Sequence, residues 1–432
     1  MSNGSIITSR ERWDVKASNM ARKSFNPIRV IVENMVIESN PNKKMITLSI
    51  GDPTAFGNLK PPKEVIEAVQ ESLDLQLNNG YAPCAGYEKA RVAVAKYSSN
   101  EFFTVDPKDV IICNGCTCAL DLTITSLANQ GQNILIPRPG FSMYRTLSTS
   151  LGIEVRSYNL LDWQIDLENL EAQIDERTAA ILINNPANPC GSVFSRQHIL
   201  DILDIAARYH VPIISDEVYE RMVFPGRTYH SLPTLSSEVP ILSCSGLAKS
   251  FLVPGWRIGW IIIHDRHDIL NKEIRKGLHG LTQRVIGSNT LVQGALPSIL
   301  QNTPQKFFDD IAQTLHEHAK LCYNHLNKIS GLKPIMPHGT MYMMVHIDLS
   351  CYPGFKTERE FIGRLITEES VFCLPGECFD FPSYMRLVIT IPLDMIEEAC
   401  QRIQEFCSRH DSKNFQKFVK TSSEVNGIPC EV

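Results

Sequence analysis

Between about residue 45 and residue 300, short uninterrupted apolar runs alternate with longer stretches in which apolar side chains recur every three or four positions. The runs 110-VIIC, 133-NILIP, 179-AAILIN, 211-VPIIS and 260-WIIIH lack polar alternation. That is the pattern of strands buried on both faces, as in a parallel sheet covered by helices. Between them, 195-SRQHILDILDIAARYH opens on a serine suited to cap a helix and brings Ile199, Leu203 and Ala206 to one face. Leu120, Ile124 and Leu127 likewise line one face of a helix predicted to follow 110-VIIC. Strand, helix, strand, repeated several times, predicts an α/β protein with a mostly parallel open sheet.

After about residue 300 the texture changes. Helical periodicity over 305–329, 357–369 and 393–409 surrounds short strands at 341-MYMMVHI and 385-MRLVIT, which predicts a separate, smaller α+β domain. The chain therefore divides into an N-terminal arm (1–45) packing on the small domain, a large domain (46–300), the small domain (301–410) and a polar, aperiodic tail (411–432) expected to be disordered.

Composition narrows the function classes. A length of 432 residues is enough to bury a substantial core without disulfides or structural metal. A net charge of −5 with no long lysine/arginine run argues against nucleic acid as a partner. No apolar run approaches the roughly 18 residues of a membrane span. Of thirteen cysteines, the tightest group is Cys113, Cys116 and Cys118, but no second C-x-x-C or histidine pair follows at zinc-finger distance. No metal is expected, and the cysteines read as thiols of a reducing compartment. The N-terminus has no apolar signal core, and its arginines and serines are mixed with Glu11 and Asp14, so the cytoplasm is expected, with the mitochondrion as the alternative.

Ligands of open α/β sheets gather at the carboxyl ends of the strands, and here those ends carry chemistry. After 110-VIIC, the residues Gly115, Cys116 and Thr117 form a glycine turn at a helix start, where backbone N–H groups suit a phosphate; a purely structural corner reads equally well. After 179-AAILIN comes 185-NPANPCG, either a rigid turn or a mount for the Asn188 amide. After 211-VPIIS stand Asp216 and Tyr219. A carboxylate at a buried strand end demands a cation, within the protein or on a ligand. After 240-PILSC comes Lys249, with Arg257 eight residues on. A lysine among small and apolar neighbours is costly to bury as an ammonium, which favours the nucleophilic amine.

The combination of glycine turn, N-P-x-N-P-x-G, S-D-E-x-Y and A-K followed by G-W-R-I-G resembles the fold-type-I pyridoxal-phosphate aminotransferases. The segments 25-FNPIR, 48-LSIGDPT, 79-NGYAPCAGY, 133-NILIPRPGF, 253-VPGWRIGW and 386-RLVITIP are most similar to the members that act on aromatic amino acids. The likeness runs from about Phe25 to His410. It implies that pyridoxal 5'-phosphate is held by Lys249 as a Schiff base, with the released amine moving the substrate proton. Asp216 would pair with the pyridine nitrogen, Tyr219 and Asn188 would bond the ring 3'-oxygen, and Phe141 would stack on the ring. Gly115, Cys116, Thr117 and Arg257 would hold the phosphate. Tyr81 would reach it from the neighbouring subunit, which implies a homodimer with active sites at the interface. Arg386 would clamp the substrate carboxylate through two parallel bonds, assisted by Asn188 and the Gly51 backbone.

Two departures stand out. Gly246 replaces a serine common three residues before the lysine, leaving Ser245 as a substitute phosphate donor, and Cys190 replaces a threonine in the N-P-T-G pattern. The implied reaction moves the amino group of an aromatic amino acid, tyrosine foremost, to 2-oxoglutarate in two half-reactions. An aminotransferase for alanine or kynurenine, a carbon–sulfur lyase, and more remotely a non-catalytic regulatory protein on the same fold remain alternatives.

Overall fold

The uninterrupted apolar runs become strands of one large sheet in the computed structural model, which describes residue 13 and residues 15–34, 38–101 and 103–412. The expectation for the tail falls, beyond residue 412, outside the described residues, as do Glu11, Asp14 and the first twelve positions. In chain order, a short strand β1 (Ile46–Thr47) precedes the sheet strands β2 (Val110–Cys113), β3 (Asn133–Arg138), β4 (Glu154–Leu161) and β5 (Gln164–Ile165). These are followed by β6 (Thr178–Asn184), β7 (Ile213–Asp216), β8 (Ile241–Gly246) and β9 (Gly259–His264). Among the described residues the order is β2-β9-β8-β7-β6-β3-β4-β5. The run β8-β7-β6-β3-β4 is parallel throughout, while β9 is antiparallel to both β8 and β2, and β5 to β4.

Burial explains the unbroken apolar pattern. In β6, Ala180 and Leu182 enter one hydrophobic cluster, while Ile181 and Ile183 enter another. Ile214 and Ile213 of β7, and Leu242 and Ile241 of β8, divide in the same way. Both faces are covered, so alternation with polar residues would place polar groups in the core. The covering helix Arg196–Arg208 starts where Ser195 Oγ accepts the His198 N–H at 3.2 Å, and it buries Ile199, Leu203 and Ala206.

The chain then forms a second sheet from β10 (Leu332–Pro334), β11 (Tyr342–Ile347), β13 (Leu374–Pro375) and β14 (Tyr384–Val388), antiparallel in the order β10-β11-β14-β13. Strand β12 (Val371–Phe372) pairs instead with β1, in parallel. Residues near 40–48 are bound to this part of the chain. Asn40 Nδ2 donates to the Glu368 carbonyl at 2.8 Å, Val388 N–H donates to the Leu48 carbonyl at 2.8 Å, and Lys43 pairs with Glu369. The stretch after β1 is thereby carried across to β14, a placement that matters for the site. Among the described residues no helix is long and apolar enough to cross a membrane.

Candidate active site

The carboxyl ends of β2, β6, β7 and β8 converge with β14. At the end of β6, the Asn184 side chain donates to the Asp216 carbonyl at 3.0 Å and accepts the Asn188 N–H at 2.7 Å, which folds the N-P-A-N-P turn back over the sheet. Gly191 in that turn has φ +72°, and a Cβ there would lie 2.4 Å from Pro337 Cβ. The glycine therefore lets the turn lie against the segment leading into β11, whose His338 and Gly339 N–H groups bond the Gly191 carbonyl at 2.9 and 3.0 Å.

Asp216 ends β7 and is 3% exposed. Burial pushes its carboxyl pKa up, opposed by hydrogen bonds from Tyr144 Oη at 2.6 Å, Val218 N–H at 3.3 Å and Cys116 Sγ at 3.6 Å and by the charge of Lys249. These partners are neutral donors, so the cation that its burial demands is left for a ligand. Tyr144 escaped the sequence reading, although it stands three positions after Phe141 on the helix Ser142–Ser150 and so shares its face. Phe141 is half-buried with its ring edge-on to Tyr144 at 5.7 Å between centroids. Replacing Tyr144 by phenylalanine is expected to loosen the cofactor about 10- to 150-fold, since a hydrogen bond to a charged group is worth roughly 1.5–3 kcal/mol. Fluorescence titration of the cofactor-free protein measures this.

Glu217 is also buried, and its side chain accepts from Ser215, Ser231 and the Leu232 N–H. Burial, helped by the charge of Glu220, pushes its pKa up to about 7. A carboxyl raised in the fold binds a proton there that the unfolded chain has already lost, so its contribution to stability falls as pH rises from its ordinary 4.5 through 7. The Glu217→Gln protein is therefore expected to gain thermal stability relative to the parent as pH increases across that window, read by melting curves.

Lys249 lies in the turn after β8, and its Nζ donates to the Gly51 carbonyl at 2.5 Å. Arg386 on β14 is 2% exposed. Its guanidinium donates to Asn188 Oδ1 at 3.1 Å and to the Ser49 carbonyl at 3.0 Å, and lies 4.3 Å from the Tyr342 ring centroid and 4.8 Å from that of Phe379. Burial pulls its pKa down. Among the described residues its Nε has no partner and no carboxylate lies within 4.0 Å. The Gly51 carbonyl accepts from Lys249, and the Ser49 carbonyl, not singled out in the sequence, accepts from Arg386. Tyr219 and Tyr342 share a hydroxyl–hydroxyl contact of 2.9 Å, and burial with this neighbour pushes the Tyr219 phenol up.

At the end of β2, Gly115 has φ +77°, and a Cβ there would lie 2.5 Å from Arg257 Nη2. Arg257 Nη2 donates to the Asn114 carbonyl at 3.2 Å, so the guanidinium sits directly on the turn. Cys116 and Thr117 open the helix Cys116–Leu127, where N–H groups have no intrahelical acceptor. A Cβ at Gly259 would lie 2.6 Å from the Cys116 nitrogen, so that glycine admits the turn. Gly246 also has a packing reason: a Cβ there would meet the Ile258 carbonyl at 2.6 Å and Gly259 Cα at 2.7 Å. A serine does not fit at 246 with the backbone so placed, and the buried Ser245 Oγ has no hydrogen-bond partner among the described residues. Tyr81 is 89% exposed.

This arrangement fits a phosphorylated pyridine aldehyde. A glycine-admitted turn meets an arginine, a buried carboxylate has no cation bonded to it, and a primary amine stands at the adjacent strand end. The chain belongs to the family described as aminotransferase class I and II, which matches residues 43–403, and it is a pyridoxal-phosphate-dependent transaminase. It is 55% identical over 404 residues to tyrosine aminotransferase of Mus musculus, covering 93% of this chain and 89% of the mouse protein. It is 53% identical over 410 residues to tyrosine aminotransferase of Homo sapiens, covering 94% and 90%. The solved structure of tyrosine aminotransferase from Leishmania infantum superimposes with a TM-score of 0.88 at 34% identity, covering 93% of this chain and all of that one.

Proposed function

We propose that this protein transfers the amino group of an aromatic L-amino acid, tyrosine foremost, to 2-oxoglutarate, giving 4-hydroxyphenylpyruvate and glutamate. The carrying observation is the buried guanidinium of Arg386, which has only neutral acceptors and an unpartnered Nε among the described residues. A desolvated cation of this kind calls for an incoming carboxylate, and every amino acid and 2-oxo acid brings one. The choice of an aromatic side chain rests on likeness to the mouse and human tyrosine aminotransferases over more than nine-tenths of the chain.

The segment 49–51 ties the two ends of the reaction together. The Ser49 carbonyl holds Arg386 and the Gly51 carbonyl holds Lys249, so the carboxylate anchor and the amine are set by one short stretch of backbone. Gly115, Cys116 and Thr117, with Arg257, hold the phosphate; Phe141 packs on the ring; Tyr219 and Asn188 take the 3'-oxygen. Asp216 keeps the ring nitrogen protonated, and Tyr144 and Cys116 keep that carboxylate in place. Bound there, pyridoxal 5'-phosphate supplies an electron sink for the pair released when the substrate α-C–H bond breaks. The Lys249 amine takes the α-proton at Nζ, with Gly51 as its resting partner. Tyr81 serves the site of a partner subunit, which makes the working unit a homodimer and accounts for its exposure here. The protein works in the cytoplasm, a reading supported by twelve free cysteines among the described residues.

The test is a panel of kcat/KM values for tyrosine, phenylalanine, tryptophan, alanine and glutamate against several 2-oxo acids. Tyrosine is expected to lead alanine by about 100-fold or more, since burying an aromatic ring supplies roughly 3 kcal/mol. Alanine leading tyrosine, or pyruvate released from cystathionine, would sink the aromatic assignment.

A further inference from the structure

Three groups of the proposed site meet on the side chain of Tyr342, which stands on β11 and is buried. Its hydroxyl lies 2.9 Å from that of Tyr219, and the two rings meet edge-on at 5.8 Å between centroids. The Arg386 guanidinium carbon lies 4.3 Å from the centroid of the same ring, over its face. The hydroxyl end also touches the backbone that holds Lys249. A Cβ at Gly51 would lie 2.9 Å from Tyr342 Oη, and the Gly51 carbonyl accepts from Lys249 Nζ. One side chain thus borders the phenol, the carboxylate clamp and the resting place of the amine.

Proton counting gives the bond between the two phenols a direction. Each phenol has a single O–H to donate. Among the described residues neither hydroxyl has another hydrogen-bond partner. In the reading above, on which this inference rests, Tyr219 donates its proton to the cofactor's 3'-oxygen. The Tyr219 oxygen is then left to accept, and Tyr342 is its donor. A hydroxyl that accepts a hydrogen bond becomes a stronger donor in turn, the more so in a dry site. The contact with Arg386 works by a separate route, because a cation over an aromatic face needs no hydroxyl. Asp216 and Arg386 are the charged groups that act on Tyr219, and Lys249 reaches the Gly51 carbonyl beside Tyr342.

We propose that Tyr342 is a positioning residue with two separable duties: its hydroxyl sets Tyr219 as the donor to the 3'-oxygen, and its ring holds Arg386 for the substrate carboxylate. The first duty has a sign that can be worked out. Once Lys249 is joined to the cofactor, the proton on Nζ neighbours the 3'-oxygen and is shared with it. When that proton leaves, the oxygen keeps its negative charge and depends on Tyr219 alone. A stronger Tyr219 donor therefore lets the proton leave at lower pH, and a weaker one retains it to higher pH. The second duty leaves that proton alone and is read in the binding of a carboxylate.

The test is a pH titration of the visible absorbance of holoenzyme, with calorimetry of hydroxyphenylpropanoate, a carboxylate that has no amino group to react. Tyr219→Phe is expected to raise the absorbance midpoint by about 1–2 pH units, and Tyr342→Phe by about 0.5. In the double variant the Tyr342 change should add nothing, because it acts through Tyr219. Tyr342→Phe keeps the ring and should bind the carboxylate within about twofold of the parent, whereas Tyr342→Leu should lose about tenfold. Tyr342→Met replaces the leucine variant if that protein does not fold. A midpoint shifted by Tyr219→Phe but not by Tyr342→Phe, or one that Tyr342→Phe still moves in the double variant, overturns the hydroxyl's duty. Carboxylate affinity retained without the ring overturns the other. Tyr219→Phe with an unmoved midpoint instead overturns the placement of the 3'-oxygen beside Tyr219, and with it the reading on which this inference rests.

Discussion

Lys249→Ala is expected to lose about 10⁴-fold or more in kcat, because it removes both the covalent mount of the cofactor and the group that moves the α-proton. Binding should suffer far less, since the phosphate turn with Arg257, the Asp216 carboxylate and the Arg386 guanidinium are held by contacts that do not pass through Lys249. Two readouts isolate the role. Borohydride should fix the cofactor to the peptide containing Lys249 in the parent and to nothing in the variant. Added methylamine should restore a part of the proton transfer in the alanine protein, and the arginine substitution, which keeps the charge but not a nucleophilic amine, should be as inactive as alanine. Turnover retained by Lys249→Ala would remove this residue from the chemistry and with it the reading of the whole strand-end cluster.

The strand ends were legible in the sequence because they join two unlike signals. Apolar runs buried on both faces stop abruptly at Asn184, Asp216 and Gly246, and the residues just beyond carry the polar chemistry. β4 was not foreseen: it lies near the edge of the sheet, paired on its far side only with the two-residue β5, and its mixed exposure leaves neither a continuous nor an alternating apolar run. The link of β1 to β12 joins residues more than 300 positions apart and rests on backbone hydrogen bonds, which no side-chain pattern records. That link carries residues 49–51 to Lys249 and Arg386, so the same blindness concealed Ser49. Tyr342 was hidden for another reason. In 341-MYMMVHI it looks like one more core residue of a buried strand, and only the register that sets it two residue pairs away from the Met344–Arg386 pair, on the same face, reveals its ring under the guanidinium.

Arg386→Ala is expected to lower kcat/KM for amino acid and 2-oxo acid alike by about 30- to 5,000-fold, the roughly 2–5 kcal/mol of a desolvated, hydrogen-bonded charge pair. Because both half-reactions present the same carboxylate to the same group, the two losses should be equal within experimental error. A loss confined to one substrate would assign Arg386 to a side-chain pocket instead. Lysine should recover only part of the loss, being a point charge that cannot grip a carboxylate through two parallel bonds. Stability should move the other way. With no carboxylate within reach among the described residues, the buried guanidinium is a cost to the ligand-free fold. Arg386→Met, which fills the space between the Tyr342 and Phe379 rings without a charge, is expected to melt at or above the parent's temperature while remaining inactive. Raised stability with lost activity would mark Arg386 as a residue kept for its substrate, and a melting temperature that fell with the charge would mark it as part of the core.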